Sequence, residues 1–313
     1  FTARLLDRLL AEFPTLIDDT DLLAGTSTGG IIALAIAAGK SPADLVGLYR
    51  DEGPDIFDDS WWDDMFDLGN AVGADYKNTY LKKALTAQLG AATRLRDLKR
   101  RVLVPAFDLD DGDEQSISDQ TPAKQKSKVV SPRAWKPKFF HNFPGNDSDG
   151  ALLAVDVGLR TSAAPTFFPA YQGYIDGGVV ANNPSLSAIA TALDPRAGKV
   201  ASTADIVVLS FSTGNNPQYV KGANLNWGWG QWARPLIQIM ISGVMGVADF
   251  QARQILDQRY RRLDRLFDRA VNMDDTREKT LKYLIDEADA LLDDNGGAVM
   301  QNTKAWLEEF WGD

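Results

Sequence analysis

A serine flanked by glycines, between a predicted strand and a predicted helix, is the feature that most constrains this chain. The apolar run 21–24 favours a buried strand, the alanine-rich run 31–38 favours a buried helix, and residues 25–30 (GTSTGG) lie between them. A G-x-S-x-G segment in this context makes a sharp turn that needs small neighbours and presents the serine hydroxyl at the strand end. The segment therefore predicts an α/β fold with Ser27 as a nucleophile.

The turn also supplies a place for negative charge. The N–H groups that open a helix carry partial positive charge, and Thr28 supplies the first of them, so we expect it to be an oxyanion donor. The glycines around the serine are expected to shape the turn: Gly25, Gly29 and Gly30. A glycine-rich turn without chemistry, or one that holds a phosphate, is the alternative interpretation.

Apolar periodicity predicts alternating helices and strands along the chain. Helices are predicted at 3–13, 31–38, 42–50, 78–89, 151–161, 184–193, 233–256, 276–292 and 298–310, and strands at 21–24, 101–107, 174–175 and 205–211. Such alternation favours a parallel sheet that helices cover on both faces. Without an internal repeat or a clear linker, residues 1–313 are predicted to form one domain, with a polar excursion at 108–138 and a helical C-terminal part at 233–313.

Composition excludes several classes of site. The 43 acidic and 33 basic side chains give a net charge of −10, which argues against a nucleic-acid polymer because phosphate contacts need clustered Lys and Arg. The chain has no Cys and a single His, His141, so thiolate chemistry and multi-histidine metal sites are excluded, and no metal or cofactor is expected. Without a signal-peptide pattern or a run of about 18 apolar residues, the predicted location is the cytoplasm or the surface of the inner membrane.

A serine nucleophile needs a base. His141 precedes every strong acid candidate, whereas the histidine of α/β-hydrolases comes last, so we interpret it as a surface or hydrogen-bonding residue. Asp176 ends a predicted strand, and Gly177 and Gly178 after it leave its carboxylate open to neighbours. The order of Ser27 and Asp176 favours a carboxylate base; a turn-capping aspartate and a His141-dependent esterase are the alternatives.

Three blocks, in this order, resemble the patatin-like phospholipase family. They are residues 25–30, residues 160–169 (RTSAAPTFFP) and residues 176–184 (DGGVVANNP). The resemblance implies a three-layer α/β fold with a mostly parallel central sheet flanked by helices. It also implies hydrolysis of acyl esters in lipids through an acyl-enzyme, with Ser27 as the nucleophile and Asp176 as the base. The middle block, including Arg160, is interpreted as structural packing beside the site, with a lipid phosphate contact as the alternative for Arg160.

The family's glycine-rich, arginine-containing oxyanion loop has no counterpart here. The 24 residues before Gly25 contain no glycine. We expect this loop and the family's first strand to lie upstream of residue 1, because losing even one oxyanion donor typically costs ~10²–10³ in kcat. A catalytically weak pseudoenzyme that binds lipid is the alternative.

Two aromatic clusters and one basic run bear on lipid access. The clusters, interpreted as core or lid packing with a membrane anchor as the alternative, are Trp61, Trp62, Met65 and Phe66, and Trp227, Trp229 and Trp232. Residues 124–138 hold six Lys or Arg and no acid, which fits either a solvated loop or contact with anionic headgroups. A phospholipid or other acyl lipid is the predicted partner, with peripheral membrane contact and a homo-oligomer as further predictions.

Residues 249–264 (DFQARQILDQRYRRLD) also resemble the C-terminal part of bacterial patatin-like proteins. These proteins include antiviral effectors that a cyclic dinucleotide activates, which implies such an activator as an alternative function here. The candidate phosphate contacts are Arg253, Arg259, Arg261 and Arg262. We favour the simpler interpretation, a solvated helix face whose charges pair with acids.

Overall fold

The computed structural model describes residues 1–53, 78–110, 133–165, 167–196, 202–220, 226–272 and 274–311. Its helices are α1 (Thr2–Glu12), α2 (Thr28–Ala37), α3 (Pro42–Asp51), α4 (Asn78–Leu89), α5 (Ala154–Thr161), α6 (Gly178–Ala181), α7 (Ser185–Ala192), α8 (Trp229–Leu256) and α9 (Glu278–Phe310). Its strands are β1 (Leu22–Ala24), β2 (Arg101–Asp108), β3 (Lys136–His141), β4 (Tyr174–Asp176), β5 (Val208–Phe211) and β6 (Tyr260–Leu263).

Helix α2 lies at the centre of the main core. Every residue from Ile31 to Ala37 is buried, as expected of a helix that is apolar on all sides. The next helix, α3, begins with a capping box. The Ser41 hydroxyl accepts a hydrogen bond from the Asp44 N–H at 3.2 Å, and the Asp44 carboxylate accepts one from the Ser41 N–H at 2.9 Å. This reciprocal pair and the proline at the first helical position fix where α3 starts.

Strand β2 is the central strand of the main sheet, and its two edges differ. β3 runs antiparallel along one edge. On the other edge, β1 pairs in parallel with residues 101–103, and β4 pairs antiparallel with residues 106–108. The carboxyl ends of β1 and β4 therefore point toward each other across Val104 and Pro105.

The predicted α/β class is confirmed, but the described part of the sheet is mixed rather than mostly parallel. β1 is parallel to β2, whereas β3 and β4 are antiparallel to it. Apolar periodicity does not reveal β3, because the strand begins with two exposed residues, Lys136 and Pro137. Lys136 and Lys138, placed in the predicted polar excursion, belong to β3; residues 111–132 of that excursion lie outside the described residues.

The C-terminal part contains a strand as well as helices. Residues 260–263 form β6, which pairs in parallel with β5 and lies between the helices predicted from residue 233 onward. The apolar pattern does not reveal this strand, because two arginines lie between the buried residues Tyr260 and Leu263. The two helices predicted at 276–292 and 298–310 form one helix, α9, in which Gly296 and Gly297 take φ values of 70° and 85°.

The first and last helices pack together. Leu5 and Leu9 of α1 are completely buried in a cluster with Leu292 of α9. At the edge of this cluster, Arg4 and Arg8 reach the same carboxylate, Asp289, at 2.9 and 2.8 Å. None of the described helices is both long enough and apolar enough to cross a bilayer.

We predict that Leu9→Ala destabilises the protein by roughly 2–5 kcal/mol, because it removes a fully buried side chain from the contact between α1 and α9. Leu266→Ala is the control, since Leu266 is 67% exposed and should cost little. Urea denaturation of both variants measures the difference. Equal stability of the two variants would show that α1 does not pack against α9 in solution.

Candidate active site

Ser27 lies between the end of β1 and the start of α2 in a strained backbone conformation. Its φ is 54° and its ψ is −126°, a combination that non-glycine residues rarely adopt and that costs on the order of 1–3 kcal/mol. Hydrogen bonds from the Gly29 N–H to the Thr26 carbonyl at 2.8 Å and from the Ile31 N–H to the Ser27 carbonyl at 3.0 Å close the turn. This is the strained strand-to-helix turn that the motif predicts.

Close contacts leave no room for a Cβ at three of the five predicted positions and crowd a Cβ at a fourth. A Cβ at Gly25 would lie 2.0 Å from a backbone oxygen, and one at Gly177 would lie 2.3 Å from another. A Cβ at Gly30 would meet a methyl group at 2.9 Å, and one at Gly178 a carboxylate oxygen at 3.1 Å. Gly29 differs, because nothing lies within 4 Å of a Cβ there. Packing therefore does not require glycine at Gly29.

Asp176 ends β4 and is buried close to Ser27. Its Oδ1 accepts a hydrogen bond from the Gly178 N–H at 2.7 Å, and the residue as a whole is only 6% exposed. Burial raises the pKa of Asp176 to about 6, while hydrogen bonding by Ser27 and Gly178 acts in the opposite direction. No charged neighbour among the described residues contributes to this shift.

The Ser27 side chain hydrogen-bonds to the Asp176 carboxylate, which lowers the pKa of that carboxyl against the effect of burial. Catalytic hydrogen bonds are often long in a free enzyme and tighten when substrate binds. A carboxylate with a pKa of about 6 is ionised at neutral pH, so this arrangement can accept a proton from the serine hydroxyl.

His141 lies on β3, and both of its ring nitrogens have neighbours other than Ser27. Nδ1 accepts a hydrogen bond from the Phe143 N–H at 3.3 Å, and Nε2 lies 3.8 Å from Asp147. Asp147 in turn pairs with Arg196. The structure therefore supports the hydrogen-bonding interpretation of His141.

Arg160 has the structural role that the sequence favoured. It is 7% exposed, and its guanidinium lies over the rings of Phe140 and Tyr174 at 5.2 and 4.6 Å. Its Nε donates a hydrogen bond to Gln172 at 2.9 Å. These contacts pack α5 against the main sheet.

The four arginines of the predicted tail do not share one helix face. Arg253, on α8, pairs with Asp249 at 2.9 Å, as a solvated helix charge would. Arg261 and Arg262 lie on β6, and the Arg262 side chain is 5% exposed and donates to a serine hydroxyl at 2.7 Å. Arg259 follows α8 in a short 3₁₀ turn. The solvated-helix interpretation is therefore wrong for three of the four, because the helix ends before them.

Two threonines that the sequence did not single out hydrogen-bond to the elements of the site. The Thr26 hydroxyl donates to the Ala181 carbonyl at 2.6 Å, which ties the serine turn to the segment after Asp176. The Ser27 N–H donates to the Thr161 hydroxyl at 2.9 Å. The only signal in the sequence was the position of each threonine in a block that resembles the family.

Other predicted features fall outside the serine and aspartate turns in the sequence. Trp227 and Trp232 pack edge to face with ring centroids 5.1 Å apart, in line with the packing interpretation, whereas the cluster from Trp61 to Phe66 and residues 124–132 lie outside the described residues. A surface groove of about 580 Å³ involves none of the predicted site residues; it is lined by Leu109, Asp110, Arg133, Ala134 and Trp135.

We predict that Asp176→Asn stabilises the protein at pH 7 but not at pH 4. Burial raises the pKa of Asp176 from 3.8 to about 6, so stability is greatest below the unfolded pKa and falls as pH rises through the folded pKa. Two pH units correspond to about 3 kcal/mol at neutral pH. Asparagine avoids this loss and keeps an oxygen that accepts from Gly178.

Urea denaturation at both pH values provides the measurement. Asp19→Asn is the matched control, because it makes the same substitution at an exposed position. A loss of stability in Asp176→Asn at pH 7 would contradict the expected cost of burying this carboxylate.

The chain is similar to one family model and to several known proteins. A family model described as patatin-like phospholipase matches residues 1–189. The protein teg of Priestia megaterium is 35% identical over 226 residues, which make up 72% of this chain and 62% of that protein. A cGAMP-activated phospholipase of Escherichia coli is 35% identical over 207 residues, 63% of this chain and 51% of that protein.

A second cGAMP-activated phospholipase, from Pseudomonas aeruginosa, is 30% identical over 269 residues, 82% of this chain and 72% of that protein. The chain thus spans between about half and three quarters of the lengths of these relatives, and less than two thirds of the first two. The family model covers more than half of the chain. The chain belongs to the patatin-like phospholipase family.

Proposed function

We propose that the chain is a lipid acyl hydrolase that cleaves carboxylic esters with Ser27 and Asp176 as a catalytic dyad. The observation that carries this proposal is the strained serine at the start of α2 beside a buried carboxylate whose pKa is about 6. Membership of the patatin-like phospholipase family, and two relatives named as phospholipases, support a lipid ester as the substrate.

In the proposed mechanism, Asp176 accepts the hydroxyl proton of Ser27 while Oγ attacks the ester carbonyl carbon. The tetrahedral intermediate then collapses, and the alcohol or lysolipid leaves with the proton from Asp176, so that the acyl group remains on Ser27. Asp176 next removes a proton from water, which attacks the acyl-enzyme. Release of the fatty acid returns the proton to Ser27.

The start of α2 is the proposed place for the oxyanion. Thr28 is the first residue of this helix, and its N–H has no hydrogen-bond acceptor in the part of the chain that the structure describes. The first N–H groups of a helix have no partner within the helix and carry partial positive charge. The open space beside Gly29 leaves room for a substrate at this end of α2.

A second proposal concerns regulation: a cyclic dinucleotide increases the hydrolase activity. It is favoured by the two relatives named as cGAMP-activated phospholipases. Its test is ester hydrolysis with and without added cGAMP. Activity that is unchanged at saturating cGAMP would remove this proposal and leave the hydrolase proposal intact.

We predict that Ser27→Ala and Asp176→Asn each reduce hydrolysis of a short p-nitrophenyl ester to background, at least about 10³-fold, because a nucleophile and its base act as one unit. His141→Ala is the control and should retain activity. A folded Ser27→Ala variant with parental activity would overturn the proposed dyad, and loss of activity in His141→Ala would favour a histidine base instead.

We also propose that α8 docks the site onto a lipid surface. An exposed apolar stripe, here called the α8 stripe, runs along this helix: Leu236, Ile239, Met240, Val247 and Phe250. Residues 235–248 contain no charged side chain. Helix α8 packs against α6, which begins two residues after Asp176, and the Asn182 amide lies 3.9 Å from the Met245 sulfur. Met245 is nine residues from Leu236 and so lies on the opposite face of α8. Helix α8 therefore packs on the segment after Asp176 with one face and exposes the α8 stripe on the other.

The size and polarity of the α8 stripe favour lipid over a protein partner. Stable protein interfaces use about 20–30 residues on each side, whereas the stripe has five large apolar side chains. A lipid surface needs no shape complement, and burial of apolar area in it contributes roughly 25 cal/mol per Å². Because the chain has a net charge of −10, we expect binding to neutral phosphatidylcholine rather than to anionic lipid.

We predict that the double variant Met240→Glu, Phe250→Glu lowers binding to phosphatidylcholine vesicles at least about 10-fold, because charged groups partition poorly into lipid. Hydrolysis of a short soluble ester should be unchanged. Leu266→Glu is the matched control, since Leu266 is 67% exposed outside the stripe. Parental vesicle binding by the double variant would overturn the proposal, as would a parental dimer that the substitutions dissociate.

A further inference from the structure

The gap between β1 and β4 leaves part of one edge of β2 without a strand partner. Successive residues of a strand direct their backbone groups to alternate edges. The Leu103 carbonyl points toward the β1 edge, where it accepts a hydrogen bond from the Gly25 N–H at 3.1 Å. Pro105, two residues further on, therefore directs its carbonyl into the gap. Because proline has no N–H, this carbonyl is its one backbone group that needs a partner there.

One hydroxyl occupies the gap. The Thr161 Oγ1 donates to the Pro105 carbonyl at 2.6 Å and accepts from the Ser27 N–H at 2.9 Å. A carbonyl oxygen can only accept, so the hydroxyl proton points at Pro105 and a lone pair is left for Ser27. Thr161 is completely buried, and water does not replace either bond without a change in the packing.

The backbone around Thr161 hydrogen-bonds to the Asp176 turn on the other side of the gap. The Thr161 carbonyl accepts a hydrogen bond from the Gly177 N–H at 3.3 Å, and the Ala163 carbonyl accepts one from the Asp176 N–H at 2.9 Å. Thr161 therefore contacts the serine turn through its side chain and the aspartate turn through its main chain.

We infer that Thr161 is a positioning residue that sets the separation of Ser27 and Asp176, an inference that rests on the proposed dyad. Ser27 precedes the first turn of α2, so its N–H has no acceptor within that helix. The Thr161 hydroxyl supplies the acceptor and holds the serine in its strained conformation. Without it the turn relaxes, the Oγ atom moves away from the carboxylate, and a shift of about 1 Å can cost roughly 10² in rate.

Thr161→Val tests this role, because valine keeps the shape of the side chain and removes the hydroxyl. Thr161→Ser keeps the hydroxyl and removes the methyl group that a Cβ at Gly30 would meet. Thr303→Val is the matched control. Thr303 is also completely buried, and its hydroxyl likewise donates to a carbonyl, at 2.7 Å, and accepts from an N–H, at 2.9 Å, but it lies on α9.

We expect Thr161→Val to lower kcat for a soluble ester about 10²-fold with little change in KM, and Thr161→Ser to restore most of kcat. The acid limb of the pH–rate profile should move to higher pH in Thr161→Val. The reason is that hydrogen bonding by Ser27 lowers the pKa of Asp176, and a displaced serine loses that effect. Thr303→Val should change thermal stability without changing kcat or the acid limb.

Three results would overturn the inference: kcat within about threefold of the parent in a folded Thr161→Val, a tenfold or greater loss in Thr161→Ser, or an equal kcat loss in Thr303→Val. The Thr161→Ser result decides the matter even when Thr161→Val does not fold. Ser27→Ala in the same assay separates this failure from failure of the dyad, because a Ser27→Ala variant that remains active removes the proposed function itself.

Discussion

Two short strands approach from opposite directions along one edge of β2, and the site depends on where they stop. β1 ends opposite Leu103 and β4 ends opposite Ala106. The serine turn follows the end of β1 and the aspartate turn follows the end of β4, so pairing with β2 fixes the positions of both turns. Neither three-residue strand would be stable alone. The long central strand, which β3 supports on its other edge, is what makes their meeting point fixed.

The electrostatics of the site come from burial rather than from charged partners. The pKa of Asp176 is raised because the carboxylate is buried, and the opposing contributions come from one hydroxyl and one backbone N–H. The arginines nearest in sequence are engaged elsewhere: Arg160 stacks on aromatic rings, and Arg196 pairs with Asp147 and Asp194. A buried carboxylate without a charged partner is a stronger base than a salt-bridged one, and burying it lowers the stability of the fold.

Both residues of the proposed dyad could be located from the sequence, because glycines that close contacts require stand beside each of them. Gly25 and Gly177 could be predicted since a turn that tight leaves no room for a Cβ. The open space beside Gly29 could not be predicted, because the sequence does not show toward which side a Cβ would project. The strands β3 and β6 were missed because charged and exposed residues interrupt their apolar pattern. The direction of β4 could not be derived from three residues, and the role of Thr161 depends on that direction.

The head-on meeting of β1 and β4 also determines how the site can change. In an ordinary parallel sheet, residues at neighbouring strand ends lie side by side, and small rotations adjust their separation. Here the separation runs along the axis of β2, where each residue advances the chain by about 3.3 Å. A slip of either strand by one residue changes the spacing by more than the length of a hydrogen bond and turns the side chain to the other face. The distance between serine and aspartate is therefore adjustable only in whole residues, and insertions or deletions in β1 or β4 abolish it rather than tune it.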